Sequence, residues 1–123
     1  MNNNPLIQIK VEYEMLDNIS VKIIYLSGRI TLANSVELSN KLKKYFDDEN
    51  YNVIIDLSDV QYLDSKGMAI ILTLEKTIKE NNGILLLTKS NPFVQDLFHL
   101  TSLETYFTFI EDINAGRSYF LKK

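Results

Sequence analysis

Apolar and polar residues alternate near the start of the chain. The apolar positions are Ile7, Ile9, Val11 and Tyr13, and charged or amide residues stand between them. A period of two turns one face of a strand toward the core and the other toward water. We therefore expect a first strand at the edge or outer side of a sheet, with a turn at Asp17-Asn18.

Three later segments are mostly or wholly apolar and predict buried strands. They are Val21–Leu26, Val53–Leu57 and Ile84–Leu87. The last is apolar at every position, which is typical of a central, parallel strand. Gly28 is expected to end the second strand, and Thr105–Ile110 is predicted to be a fifth strand.

Between the strands, apolar residues recur at helical spacing. A first helix is expected to begin at Asn34 or Ser35, with an apolar stripe formed by Val36, Leu38, Leu42, Tyr45 and Phe46. Three further helices are predicted at Met68–Asn82, from Asn91-Pro92 onward, and at Ile113–Leu121. Strands that alternate with helices indicate an α/β fold. We expect a mixed, mostly parallel sheet of about five strands with about four packed helices.

The pentapeptide Asp64-Ser65-Lys66-Gly67-Met68 stands between the third predicted strand and the helix after it. Ser65 is therefore expected at or beside the N-cap, where a serine oxygen accepts a backbone N–H. Helix N-termini also favour anions, because N–H groups and the positive end of the helix dipole point at them. Two interpretations follow: Ser65 is a phosphate acceptor, or it is only a helix cap.

The helix after this motif is apolar on nearly every side in its first two turns. Its apolar residues are Met68, Ala69, Ile70, Ile71, Leu72 and Leu74. A helix packed on one side of a sheet needs only a single apolar stripe. Either a neighbouring helix covers the surplus, or an exposed apolar patch beside Ser65 marks a surface for a partner.

The segment Ile55–Met68 resembles the signature of the STAS domain, the fold of bacterial anti-sigma factor antagonists. In that signature a buried strand and a short loop lead to Asp-Ser-Ser/Thr-Gly-Leu/Met at the start of a helix. Ser27-Gly28-Arg29-Ile30 also resembles the family's Gly-x-Leu/Ile corner after the second strand. The apolar residues near the C-terminus match the spacing that the family shows in its last helix and strand. They are Val94, Leu97, Phe98, Leu103, Phe107 and Ile110. The resemblance extends from about Ile7 to about Phe120.

The resemblance implies a regulatory binding module and not an enzyme. An anti-sigma factor serine kinase would phosphorylate Ser65, and the unphosphorylated protein would bind that kinase and so release a sigma factor for transcription. A serine phosphatase would reset the switch. The same resemblance implies that the partner contacts Thr31, Asp64, Ser65, Lys66, Gly67, Met68 and Ala69.

Two positions depart from the family pattern. Lys66 stands where Ser or Thr usually follows the phosphoserine, and its ammonium would offset part of a phosphate's charge. Thr31 stands where the family often has an Asp that reaches the partner, so it supplies a hydroxyl without the charge. Both changes bear on which partner is recognised more than on the fold.

Composition limits the classes of protein that fit this pattern. The chain has 123 residues, so we expect a single STAS domain over residues 1–123, with a disordered tail at residues 1–5. A net charge of −3 gives no basic surface for nucleic acid. No run approaches the roughly 18 apolar residues of a membrane span, and no secretory signal opens the chain. We therefore expect no membrane partner and a cytoplasmic location.

Candidate chemistry other than phosphorylation is sparse. The chain has no cysteine and a single histidine, His99, which is expected on the surface without carboxylate partners, so no metal site is predicted. The carboxylates of Asp56, Asp59 and Asp64 resemble those of the acidic pocket in a phosphate-accepting receiver domain. That pocket also needs acidic residues at the end of the first strand, where this chain has only Asp17. The four glycines do not form a phosphate-binding loop, and no cofactor is predicted.

Two other functions remain open from the sequence. One is a STAS domain that serves as a scaffold or in transport without switching, with Ser65 as a cap. The other is a small-molecule-binding or catalytic α/β domain of similar topology, which would be supported by a closed apolar pocket.

Overall fold

The computed structural model of the chain describes residues 7–122, and the tail expected at residues 1–5 lies outside them. Five strands form one sheet in the order β1-β2-β3-β4-β5. Their bounds are Ile7–Leu16, Ile19–Ile30, Asn52–Leu63, Ile84–Thr88 and Thr108–Ile110. β1 is antiparallel to β2, and the other neighbours are parallel. The predicted mixed, mostly parallel sheet is confirmed, with β1 at its edge and β4 between two parallel neighbours.

Four α-helices within residues 7–122 connect and cover the strands. α1 to α4 span Ser35–Lys44, Ser65–Glu80, Pro92–Leu100 and Ile113–Leu121. Short 3₁₀ helices occupy Leu32–Asn34 and Leu103–Tyr106. Within the same part of the chain, no helix has both the length and the apolar character needed to cross a membrane. The α/β class and the number of helices agree with the sequence prediction.

Polar residues fix the ends of several elements. Asp17 has φ 57 in the turn between β1 and β2, and Asn82 has φ 61 just beyond α2. Asp and Asn tolerate this left-handed conformation better than most residues. Asn91 caps α3 by accepting from the Val94 N–H at 2.8 Å, with Pro92 in the first turn. The predicted turn at Asp17-Asn18 and the predicted helix start at Asn91-Pro92 are confirmed, whereas α2 ends at Glu80, two residues before the predicted Asn82.

The sheet has apolar residues on both faces. On one face, α1, α2 and α3 cover the larger cluster, which includes Phe98. On the other face, α4 covers a smaller cluster that includes Phe120. A Cβ on Gly116 would lie 2.7 Å from the side chains of both Ile54 and Ile110. The glycine that lowers helix propensity in α4 is therefore required for its close approach to the sheet.

Gly28 does not end β2, contrary to the sequence prediction. The strand continues to Ile30, and its pairing with β3 shifts between Tyr25 and Ser27 and again between Gly28 and Arg29. Gly28 has φ 100, which glycine adopts readily, so it forms an irregularity within the strand instead of stopping it. The extension carries Ile30 to the loop that precedes α1.

Other predicted boundaries are also wrong, and β3 continues to Leu63 instead of ending at Leu57. α2 begins at Ser65, before the predicted start at Met68, and β5 begins at Thr108 and not at Thr105. Thr105 belongs to a 3₁₀ turn in which its hydroxyl donates to the Ser102 carbonyl at 3.2 Å. Local hydrogen bonding of this kind competes with strand formation.

One residue of the predicted α1 stripe faces solvent. Leu38 and Leu42 are buried, but Val36 is 71% exposed. An α-helix turns by about 100° per residue, so Val36 and Leu38 point in nearly opposite directions. The apolar stripe by which α1 packs on the sheet is therefore narrower than the predicted stripe, because it does not include Val36.

Lys22 is a buried cation within a strand whose sequence was interpreted as mostly apolar. Its side chain is fully buried, and its ammonium donates to the Asp48 carboxylate at 2.8 Å and to the Asn50 carbonyl at 3.1 Å. The ring centroid of Phe46 lies 3.9 Å from Nζ. Burial lowers the pKa of Lys22, and the Asp48 carboxylate opposes that shift. The cation links β2 to the segment between α1 and β3.

Candidate functional site

Asp64, and not Ser65, caps the N-terminus of α2. Asp64 Oδ1 accepts hydrogen bonds from the backbone N–H of Lys66 at 3.0 Å and of Gly67 at 3.1 Å. Ser65 is the first residue of the helix, beside the cap, and is exposed to solvent. Its hydroxyl has no hydrogen-bond partner among residues 7–122. The interpretation of Ser65 as the helix cap is therefore wrong.

A second loop lies against the motif. Asp64 Oδ2 accepts from the Leu32 N–H at 2.9 Å, and the Asp64 N–H donates to the Ile30 carbonyl at 3.1 Å. Thr31 lies between these two residues of the loop and is therefore close to the start of α2. Its hydroxyl oxygen accepts from the Ala33 N–H at 3.2 Å and caps the 3₁₀ helix before α1.

Gly67 and Met68 face the core. A Cβ on Gly67 would lie 2.4 Å from Leu63 Cδ1 and 2.6 Å from Ile30 Cγ2, so a larger residue would displace the packing. Met68 is 5% exposed. These two residues hold α2 against the sheet. Two residues of the motif, Ser65 and Lys66, are exposed at the surface. Ala69, which directly follows the motif, is also exposed.

Two grooves run along α2. The groove between α1 and α2 has a volume of about 500 Å³, and Lys66 and Ala69 lie on its α2 side. The groove between α2 and α3 has a volume of about 470 Å³, and Ser65 and Ala69 line it. Its apolar walls are formed by Tyr62, Met68, Leu72, Phe93 and Leu97. Ile70 and Leu72 are half-buried, so the neighbouring helices cover part of the apolar surplus of α2 and the grooves expose the rest.

An aromatic stack forms part of the second groove. The rings of Tyr62 and Phe93 are stacked, with centroids 5.7 Å apart and planes inclined by 20°. The Arg29 guanidinium carbon lies 4.6 Å from the Tyr62 centroid, and Phe93 is 52% exposed. Sequence reasoning did not bring these three residues together. Arg29 and Tyr62 are partners in the β2–β3 register, which cannot be read from the sequence alone.

The acidic residues do not form a metal site. No group of three His, Asp or Glu side chains within residues 7–122 is placed to hold a metal ion. Asp56 accepts from the Thr88 hydroxyl at 3.1 Å, whereas Asp64 caps α2. The two carboxylates thus serve separate parts of the structure, which argues against the receiver-domain alternative.

His99 has a carboxylate partner, contrary to the sequence prediction. Its Nδ1 lies 2.7 Å from Glu104 Oε1, across the junction between α3 and the 3₁₀ helix that follows. The imidazole is on the surface, as predicted, with 72% of the side chain exposed. The hydrogen bond to Glu104 raises the pKa of His99 above its ordinary value. The pair is a surface ion pair when the imidazole is protonated.

The family model of the STAS domain matches residues 10–116, a segment that contains the motif, both grooves and most of the sheet. The chain belongs to the STAS domain family. This confirms the resemblance drawn from the residues around Ser65. The five-stranded sheet with helices on both faces is the STAS fold.

Anti-sigma factor antagonists are found among the relatives of this STAS domain and among similar solved structures. BtrV of Bordetella bronchiseptica, named for that role, is 26% identical over 98 residues, which cover 80% of this chain and 84% of BtrV. The crystal structure of an anti-sigma factor antagonist from Mycobacterium paratuberculosis has a TM-score of 0.81 and 21% identity, and covers 95% of each chain. Phosphorylated SpoIIAA of Bacillus has a TM-score of 0.61 and 16% identity, over 86% of this chain and 96% of SpoIIAA. At these identities the two structures establish a shared fold.

Proposed function

We propose that this protein is an anti-sigma factor antagonist that is switched by phosphorylation of Ser65. The unphosphorylated form binds an anti-sigma factor serine kinase and thereby releases a sigma factor. Phosphorylation by that kinase ends the binding, and a serine phosphatase restores it. The observation that carries the proposal is the Ser65 hydroxyl, which is exposed, makes no hydrogen bond within the described residues, and lines an apolar groove.

A kinase needs a hydroxyl that it can reach without unfolding the helix. Ser65 meets this need because it is the first residue of α2 and is exposed. The cap is made by the side chain of Asp64, so phosphorylation of Ser65 breaks none of the capping hydrogen bonds. The modification therefore leaves the helix and the fold intact.

The phosphate adds a charge of about −1.5 to −2 beside groups of both signs. The Asp64 carboxylate repels it and already occupies the N–H groups of Lys66 and Gly67. The Lys66 ammonium attracts the phosphate. Exposed ion pairs typically contribute about 0–1 kcal/mol, so this attraction offsets only a small part of the effect of the phosphate charge. The net result is a strongly charged group that remains at the surface.

The groove between α2 and α3 supplies the surface for the kinase. Its walls are apolar, and Ser65 and Ala69 line it. A partner that covers this groove removes water from whatever group Ser65 carries. A neutral hydroxyl is buried at modest cost, whereas an incompletely paired phosphate is buried at a high cost. Phosphorylation therefore acts on the complex and not on the stability of the domain.

The residues of the predicted contact set have two roles in this proposal. Ser65, Lys66 and Ala69 touch the partner, and the exposed ring of Phe93 extends the surface across the groove. The remaining members of the set shape that surface from beneath or beside it: Thr31, Asp64, Gly67 and Met68.

The switching function is favoured over the two alternatives by particular observations. A non-switching scaffold was expected to use Ser65 as a cap, but Asp64 makes that cap. A small-molecule function was expected to have a closed apolar pocket, but both grooves beside α2 are open at the surface.

Mass spectrometry of the protein purified from its own host tests the phosphorylation step. We expect a fraction of chains to carry one phosphate, mapped to Ser65, and the Ser65→Ala variant to carry none. Ser58→Ala and Thr73→Ala are matched controls, since both hydroxyl residues are exposed and both variants should keep the phosphate. Phosphate on Ser58 or Thr73, or its absence under every growth condition, would overturn the proposal.

A further inference from the structure

The outer edge of β1 has no pairing strand among residues 7–122. β1 is first in the sheet order, and it pairs with β2 without a register shift from Ile7 opposite Gly28 to Leu16 opposite Ile19. Every second one of its ten residues therefore directs its N–H and C=O groups to the outer edge, and the series is not interrupted. An exposed edge of this length is a template for another strand, since no bulge or proline interrupts it.

We propose that β1 pairs in antiparallel fashion with β1 of a second copy of this chain, about a two-fold axis at Val11. The opposite edge of the sheet offers only Thr108–Ile110, so β1 is the edge that is long enough to support such an interface. A two-fold axis is the commonest symmetry of homodimers and joins the same surface of both copies. The sheet then continues from one copy into the other.

Charge complementarity selects this register. With Val11 opposite Val11, Lys10 of each copy faces Glu12 of the other. A slide by two residues in one direction places Lys10 opposite Lys10. The opposite slide places Glu12 opposite Glu12, and Lys10 then faces Glu14, whose carboxylate already accepts from Arg117. Opposite charges across a strand pair stabilise it, and like charges destabilise it. A slide by one residue would set the apolar side of one strand beside the polar side of the other.

Both charged side chains are accessible in a single copy. Lys10 and Glu12 lie on the same side of β1, 3.2 Å apart, with 70% and 43% of their side chains exposed. Glu12 also accepts from the Tyr25 hydroxyl of the neighbouring strand β2 at 3.1 Å. The two residues therefore form a small dipolar patch that is complementary to its own two-fold copy.

The apolar side of β1 is incompletely covered within one copy. Ile9 and Val11 pack only partly against the larger core cluster. Tyr13 and Met15, further along the same side, are 51% and 66% exposed. In the Val11 register, Ile9 of one copy faces Tyr13 of the other, and Ile7 faces Met15. Pairing therefore removes apolar surface from water on one side of the sheet while it pairs charges on the other.

Sedimentation equilibrium of the full chain, from micromolar to near-millimolar concentration, tests the dimer. We expect the mass to rise with concentration from 14.2 kDa toward twice that value. Glu12→Lys should weaken association about tenfold or more, because two ion pairs become two like-charge contacts. Combining it with Lys10→Glu should restore association. Glu111→Lys makes the same change in net charge away from β1 and should have no effect, and circular dichroism checks that each variant is folded.

A cysteine at the axis tests the register independently. The chain has no cysteine, and residues directly opposite each other have Cβ atoms about 4.5–5.5 Å apart, close to the reach of a disulfide. Val11→Cys should therefore form a covalent dimer under mild oxidation, whereas Asn40→Cys, at an exposed position of α1, should not. A monomer at every concentration, association that Glu12→Lys does not change, or equal cross-linking of the two cysteine variants would overturn the proposal.

Discussion

The side chain of Asp64 accepts a hydrogen bond from the Leu32 N–H at 2.9 Å, which holds the loop before α1 against the start of α2. The other carboxylate oxygen caps α2. One side chain therefore fixes the start of α2, which carries Ser65, and the loop that contains Thr31. The position of Ser65 at the proposed partner surface depends on this bridge.

Asp64→Ala is expected to destabilise the protein by about 1–2 kcal/mol, because loss of an N-cap typically costs about 1 kcal/mol and the Leu32 N–H also loses its acceptor. Asp64→Asn should retain most of the stability, since Asn is also a good cap. Urea denaturation measures the free energies of unfolding. Asp59→Ala removes an exposed carboxylate within β3 and should change the stability by less than about 0.5 kcal/mol. If Asp64→Ala behaves like Asp59→Ala, the bridge does not stabilise the site.

Gly67→Ala should destabilise the fold by about 1–3 kcal/mol through overpacking against Leu63 and Ile30. The sign of this change is informative, because Ala is favoured over Gly in a helix by about 1 kcal/mol. Lys66→Ala, at an exposed position in the same turn, is the control and should be close to neutral. Thermal unfolding followed by circular dichroism measures both variants. A higher midpoint for Gly67→Ala would contradict the close packing of α2 on the sheet.

His99 is the only histidine, so its NMR titration can be assigned without ambiguity. We expect a pKa above the ordinary value of 6.5, because Glu104 stabilises the imidazolium, and Glu104→Gln should lower it. A raised pKa in the folded state means that the pair contributes stability below about pH 6.5 and loses it as the pH rises through the folded-state pKa. Equal titration midpoints for the two proteins would show that the pair does not form in solution.

Phe93→Ala should weaken binding of the kinase about tenfold or more, because aromatic residues in a covered groove commonly dominate an interface. The cost in stability should be smaller, since Phe93 is already 52% exposed. Leu100→Ala is the matched control on the same helix, where Leu100 is 77% exposed and lies outside the residues that line the groove. Calorimetric titration of each variant with the kinase decides the point. Equal losses of kinase affinity in Phe93→Ala and Leu100→Ala would mean that the kinase does not bind in the groove between α2 and α3.

Features that depend on neighbouring residues in the chain were predicted well. The alternation from Ile7 to Tyr13, the Asn91-Pro92 start of α3 and the bounds of α4 all follow from local pattern and capping chemistry. Features that depend on distant partners were not. The course of β2 beyond Gly28 requires the register with β3, and the burial of Lys22 requires Asp48, which is far away in the sequence.

The candidate site shows the same division. The place of Ser65 at the start of a helix follows from the motif and was predicted. Which residue caps that helix was not, because Asp64 and Ser65 are adjacent and both residue types cap well. The contact of Thr31's loop with Asp64, and the stack of Tyr62 on Phe93, exist only once strands and helices have assembled.

The central claim is that phosphorylation of Ser65 controls binding, and calorimetric titration of the kinase with the two forms of the protein tests it most directly. The unphosphorylated form and Ser65→Ala should bind equally well, and Ser65→Asp should bind more weakly because a carboxylate carries part of a phosphate's charge. The phosphorylated form should bind at least about tenfold more weakly, a difference of about 1.4 kcal/mol or more. Equal affinities of the phosphorylated and unphosphorylated forms would contradict the account.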